Sequence, residues 1–389
     1  SLEEKKIRLR QGHFDLKHWT GEVQPQARRA RDALMHYAQD LESIEPLMNE
    51  EGSNRLLEQT KTTLLEIKSL AKKIRGAAEV LEKLVEHPPT SQEIRWIESR
   101  FSKHGLNVSL VQASLDISKL LLQRLFEPLN TVALVSATLT ARGSFEYLKE
   151  RVGLSELPER LLIELSVDSP FNYEEQALFI VPKDMPDPSS SAFMPAAVKL
   201  ILDAVEASHG NAFILFTSHQ TMKAFYEELE NTLREKRFHP LCQGHESTSA
   251  LLKKFVATDR SVLFGTDSFW EGVDVAGEAL RLVVIAKLPF KVPSDPLIEA
   301  RSEALLTKGK SPFYHLLLPQ AAIKLKQGFG RLIRKKNDRG CILCLDGRVM
   351  GKGYGKYFLS SLPKCPLVWT PAEEIKKVMT DFFRKTYRN

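Results

Sequence analysis

The sequence has no apolar run approaching the ~20 residues that a bilayer-spanning helix needs, and its start lacks the charged-then-apolar layout of a signal peptide. No membrane partner is expected, and the cytoplasm is the expected compartment. Cysteine is scarce: four in 389 residues cannot build a disulfide framework. Two of them form a CxxC inside the apolar run Cys341-Ile342-Leu343-Cys344-Leu345, where a separation of three on a strand sends the side chains to opposite faces. Buried thiols fit that pattern better than a metal or redox pair. Charge of one sign is not in excess. A net charge of +6 leaves room for a basic groove but argues against a wholly basic binding module. Methionine is missing from the first position, where Ser1 stands, so the chain reads as an excised or processed piece of a longer one.

Hydrophobic residues, by contrast, make up 43% of the chain, enough for two or three packed domains. From about residue 24 to residue 86 they recur at helical spacing, as in Leu57, Leu64, Ile67, Leu70, Ile74, Ala77 and Leu81. Glu50-Glu51-Gly52-Ser53-Asn54 separates two helical stretches, and His87-Pro88-Pro89 stops the second because proline has no N–H. This predicts a helical hairpin. Its Lys68, Lys72, Lys73 and Arg75 form either a solvated face or a contact for nucleic acid. Strand-like stretches follow at 95–98 and 107–113, then a helix over about 118–126. Beyond it, short apolar runs at 132–135, 177–181, 212–216, 262–264, 282–286 and 342–345 alternate with helical stretches. Such runs are the signature of a parallel sheet covered on both faces.

Ligands of open α/β sheets bind beyond the carboxyl ends of the strands, and polar residues gather there. Run 132–135 leads into Ser136-Ala137-Thr138, run 212–216 into Thr217-Ser218-His219-Gln220, and run 262–264 into Gly265-Thr266-Asp267-Ser268. Helix capping is the competing reading of such residues. A further segment reads Gln327-Gly328-Phe329-Gly330-Arg331-Leu332-Ile333-Arg334. On a helix, Gln327, Arg331 and Arg334 would point the same way, and two guanidiniums on one face suit a triphosphate. Gly328 and Gly330 each cost roughly 1 kcal/mol inside a helix, which is easier to understand where another backbone or a ligand approaches. A basic, exposed helix face is the alternative.

These segments resemble, in order and spacing, the motifs of DinG/XPD-type superfamily 2 DNA helicases. Segment 327–334 resembles motif VI, and Gly265 to Asp274, including Phe269-Trp270-Glu271-Gly272-Val273-Asp274, resembles motif V. Val135-Ser136-Ala137-Thr138-Leu139 is similar to motif III and Leu215-Phe216-Thr217-Ser218 to motif IV. Lys287-Leu288-Pro289-Phe290, Pro293-Ser294-Asp295-Pro296 and Tyr354-Gly355-Lys356-Tyr357-Phe358 also match that branch, so the likeness runs from about residue 110 to 362. An ordered series of this kind is far more specific than one motif.

The resemblance implies an α/β fold: a RecA-like second motor domain at 146–389, the end of the first motor domain with motif III at 93–145, and an elongated, arch-like helical domain at 1–92. It implies 5′ to 3′ translocation on single-stranded or forked DNA in repair or replication, driven by ATP. Arg331 and Arg334 would be arginine fingers and Gln327 would orient the γ-phosphate region. Glu271, Gly272 and Asp274 would border the nucleotide, and Ser136, Thr138, Thr217, Ser218, Thr266 and Ser268 would line the DNA; Trp270 would stack on a base there, or belong to the core as its flanking apolar residues favour. The main ligands of ATP and Mg2+, GxxxxGK[ST] and a DExH box, do not occur in this sequence. Gly351-Lys352-Gly353-Tyr354-Gly355-Lys356-Tyr357 is one residue short between its glycines and has no Ser/Thr for the metal. The expected partner is therefore a first motor domain of the same protein, where many family members also carry a 4Fe–4S cluster; none is expected in this chain. The isolated chain is expected to be inactive. A non-catalytic nucleic-acid or protein-binding module derived from a helicase domain is the rival reading. An unrelated nucleotide-dependent transferase would need a complete catalytic set, which these residues do not supply.

Overall fold

The computed structural model describes residues 5–50, 56–102, 105–270 and 280–384. The chain divides into two units, Ser1–Asp116 with Ser294–Arg301, and Ile117–Pro293 with Ser302–Asn389.

The first unit combines a three-stranded antiparallel sheet with the expected helical hairpin. The elements are β1 (Lys5–Leu9), α1 (Gln24–Glu50), α2 (Leu56–Glu86), β2 (Glu93–Ser102) and β3 (Gly105–Ser114). The helix α2 stops just before the Pro88-Pro89 pair. Buried alanines Ala38, Ala71 and Ala78 allow close approach of the two helices, while Arg28–Glu86 and Arg31–Glu82 pairs lie at their surface. Arg95 of β2 is almost fully buried. Its guanidinium donates to the carbonyls of Lys83 at 3.1 Å, Leu84 at 3.3 Å and His87, and pairs with Glu93 at 2.8 Å. It thus satisfies carbonyls that the end of α2 leaves without an intrahelical donor. Residues 93–114, grouped above with the motor domain, here form a hairpin within the first unit. Segment 294–301 also belongs to this unit, where Asp295 and Glu299 meet Lys6 and Arg8.

The second unit is built on seven parallel strands: β4 (Ala177–Pro182), β5 (Ala212–Leu215), β6 (His239–Cys242), β7 (Ser261–Gly265), β8 (Leu282–Ile285), β9 (Gly340–Cys344) and β10 (Leu367–Thr370). Their order is β10-β4-β9-β8-β5-β7-β6. Helices α3 (Phe193–Ser208), α4 (His219–Glu235) and α7 (Ala372–Arg384) bury apolar residues against one face; α5 (Thr248–Ala257) and α6 (Leu318–Phe329) cover the other. Alternate residues of each central strand enter opposite cores, as a strand's two-residue period requires. Cys341 lies in the first core and Cys344 in the second. Burial pushes both thiols up, that of Cys344 to about 12.

One expected strand is absent. Residues 131–135 form no regular element and pair with no strand among the described residues, and Val135 is 91% exposed. An apolar, β-branched run becomes a strand only where a neighbour takes its backbone hydrogen bonds. Strands β6 and β10, which the apolar pattern did not announce, are the two sheet edges; Pro240 in β6 fits an edge, where a missing N–H costs least.

Candidate functional site

Two of the predicted polar clusters meet at the carboxyl ends of the neighbouring strands β5 and β7. Ser218 caps α4: its Oγ accepts from the Thr221 N–H at 3.2 Å and donates to Thr221 Oγ1 at 2.8 Å. His219 follows, with Nε2 3.2 Å from Thr266 Oγ1. Gln243, just beyond β6, organises the rest. Its Oε1 accepts from the Thr266 N–H at 2.6 Å and from Thr266 Oγ1 at 3.0 Å, and its Nε2 donates to Ser268 Oγ at 3.0 Å. Thr266 is 2% exposed, whereas His219 and Ser268 are open to solvent. Thr217 is half-buried beside them in sequence. The capping role of Ser218 and the clustering of these groups therefore hold together. The outcome is a fixed set of short neutral donors at a sheet edge.

Segment 266–270 also carries the link to the motif VI segment. Asp267 accepts from Lys291 at 3.2 Å and from the buried Lys324 of α6. Burial pushes the Asp267 carboxyl up, but the Lys324 hydrogen bond and the two ammonium charges outweigh it and hold it below the usual range. Trp270 is fully buried, with its indole N–H on the Phe216 carbonyl at 3.2 Å and Lys324 Nζ 5.6 Å from the ring centroid. The expectation that it lines the DNA is corrected: no face of the ring is open to a base. Its ring also explains Gly328, because a Cβ there would lie 3.0 Å from two ring atoms.

The shared helical face of Gln327, Arg331 and Arg334 is likewise corrected. Helix α6 ends at Phe329, and both arginines follow in a turn and loop. Arg331 donates through Nε and Nη2 to the Trp270 carbonyl at 3.3 and 3.2 Å. The loop beyond is pinned by the buried Asp338, which accepts from the N–H groups of Arg334 and Lys335, both at 2.8 Å. Buried Gln176 adds donations to the carbonyls of Lys335, Lys336 and Asp338. Burial lowers the Arg334 guanidinium against the opposing charge of Asp338. Gln327 Oε1 is a buried acceptor with no donor among the described residues. Half-buried guanidinium groups fit an anionic ligand such as a nucleotide's phosphates, whereas the Gln327 oxygen calls for a donor from whatever binds beside it.

Ser136 and Thr138 are not at this sheet edge, because run 132–135 is not one of its strands; they hydrogen-bond each other at 3.3 Å in an exposed turn. Thr140, two residues on, accepts from Lys326 of α6 at 3.3 Å. Glu271, Gly272 and Asp274 lie outside the described residues. Gln243, Asp338 and Gln176 were not anticipated. The usable signal for Gln243 was a polar residue directly after an apolar pair, hidden by the shortness of β6.

The helicase C-terminal domain family matches residues 201–365. The chain is 34% identical over 344 residues to the 3′-5′ exonuclease DinG of Bacillus subtilis, covering 87% of this chain and 36% of that protein. It is 42% identical over 229 residues to the ATP-dependent DNA helicase YoaA of Haemophilus influenzae, covering 59% of this chain and 34% of the relative. The chain thus spans about a third of the length of these curated relatives. In fold it is similar to an XPD helicase structure, with a TM-score of 0.54 at 15% identity, covering 94% of this chain and 65% of that one. A parallel seven-stranded sheet flanked by helices, with these likenesses, defines a RecA-like helicase motor domain. In sequence the chain is similar to helicases of the DinG and YoaA kind, and in fold to an XPD helicase.

Proposed function

We propose that this chain is the second motor half, with an arch-like helical domain, of a cytoplasmic ATP-dependent helicase that moves 5′ to 3′ along single-stranded or forked DNA in repair or replication. The observation that carries this reading is the double attachment of segment 266–270: Thr266 and Ser268 belong to the polar sheet edge, and Trp270 holds Arg331. Thr217, Ser218 and Ser268 bind phosphates and sugars of the DNA, a contact without sequence preference, over Thr266, whose burial takes it out of the expected DNA contacts. Gln243 holds Thr266 and Ser268 in place. ATP with Mg2+, gripped mainly by a first motor domain, supplies the free energy of hydrolysis. Gln327 orients the γ-phosphate region, and Arg331 and Arg334 stabilise charge on the transferred group. Glu271, Gly272 and Asp274 border the same site. Ser136 and Thr138 adjoin the first motor domain, whose sheet would give the exposed run 131–135 its missing neighbour. Measuring ATP turnover of the full-length protein with and without single-stranded DNA tests the proposal. DNA-stimulated turnover supports it, and absence of turnover favours a non-catalytic binding module instead.

A further inference from the structure

Lys324 is a cation in an unfavourable place. It is 8% exposed, on a helix whose neighbouring residues Ala321, Ala322 and Leu325 are in the core. A buried ammonium is costly unless paired, and an apolar residue would fill the same space at no such cost. Its partner is Asp267, whose side chain is 58% exposed and which sits between Thr266 and Ser268. Asp267 also receives Lys291 at 3.2 Å. On the other side, Lys324 lies one helical turn before Gly328, against which Trp270 packs, and the Trp270 carbonyl receives Arg331. The Trp270 indole N–H reaches Phe216, the residue before Thr217. The ion pair thus joins the backbone that presents the polar edge to the helix that presents Arg331.

We propose that the Asp267–Lys324 pair is the positioning link through which occupancy of the polar edge by single-stranded DNA raises ATP turnover. This rests on the helicase reading above and assigns the residues that couple its two ligands. A strand held by Ser268 fixes the backbone of its neighbour Asp267. Through the pair, that backbone fixes α6 and the seat of Arg331. Neither residue need touch DNA or nucleotide. Coupling between two sites of this kind typically amounts to a 5- to 150-fold effect.

The test uses the full-length protein and compares wild type with Asp267→Asn, Asp267→Glu and Lys324→Met. ATP turnover is measured with and without a single-stranded oligonucleotide, alongside melting temperature. In Asp267→Asn, stimulation by DNA is expected to fall about tenfold, with unstimulated turnover within about twofold of wild type. Asp267→Glu, which keeps the carboxylate, retains most of the stimulation. Asp267 is largely exposed, so the test stands even where Lys324→Met fails to fold. Wild-type stimulation in Asp267→Asn overturns the proposal, as does a parallel loss of stimulated and unstimulated turnover with a lowered melting temperature. Absence of stimulation in the wild type overturns the helicase reading itself, and this inference with it.

Discussion

Replacing Gln243 with leucine removes three hydrogen bonds at once while keeping the side chain's bulk. The bond to Ser268 is solvent-exposed and contributes about 0.5 kcal/mol. The Thr266 hydroxyl can turn to His219, 3.2 Å away, and recover much of its bond. The Thr266 N–H has no such alternative among the described residues; in a residue 2% exposed, an unsatisfied donor costs roughly 1–3 kcal/mol. The expected loss is therefore about 2–3 kcal/mol, read by urea denaturation. Single-stranded DNA affinity falls about 3- to 10-fold, a loss of roughly 1 kcal/mol in the contact of the loosened Ser268 hydroxyl. No cation is removed, so the dependence of affinity on salt keeps its slope. Gln243→Glu keeps acceptors for Thr266 but loses the donor to Ser268, and falls between the two. A leucine variant as stable as wild type, with unchanged DNA affinity, refutes the organising role of Gln243.

Trp270→Ala destabilises the chain by about 3–5 kcal/mol, because the ring is fully buried; a loss of DNA affinity without loss of melting temperature contradicts that placement. Arg95→Met, which strips donors from three carbonyls and a partner from Glu93, costs the first unit about 3 kcal/mol, seen as earlier loss of helical circular dichroism on heating. The isolated chain binds a fluorescent single-stranded oligonucleotide weakly and without sequence preference. Its logarithmic salt slope is roughly −2 to −3, from a few phosphate contacts at about −0.7 each; salt-insensitive binding or a strong base preference contradicts this. The same preparation turns over no ATP.

The sheet was legible because a buried parallel strand must be apolar on both faces: runs such as 177–181 and 282–286 have no other use in a globular chain. Cys341 and Cys344 fell on opposite faces for the same geometric reason. Edge strands β6 and β10 bury less and so carry weaker patterns. Run 131–135 shows the converse: local pattern specifies a capacity for pairing, and the neighbour decides whether pairing occurs. In the motif VI segment, helical spacing misled because the end of α6 is fixed from outside it. The loop that carries Arg334 is held by Asp338 and by Gln176, the latter about 160 residues away in sequence, and no local rule encodes such a contact. Trp270 was ambiguous for a similar reason, since only the opposing Gly328 shows that its ring is enclosed.

The central claim is that Arg331 serves a nucleotide, although the structure also gives it a carbonyl to hold. Arg331→Ala in the full-length protein separates these roles. The account predicts that DNA-stimulated ATP turnover falls by ~10³-fold or more while the melting temperature moves little, because the two bonds to Trp270 are replaceable by water at a half-buried site. Turnover near wild type with a clearly lowered melting temperature would instead make Arg331 a structural residue and contradict the account.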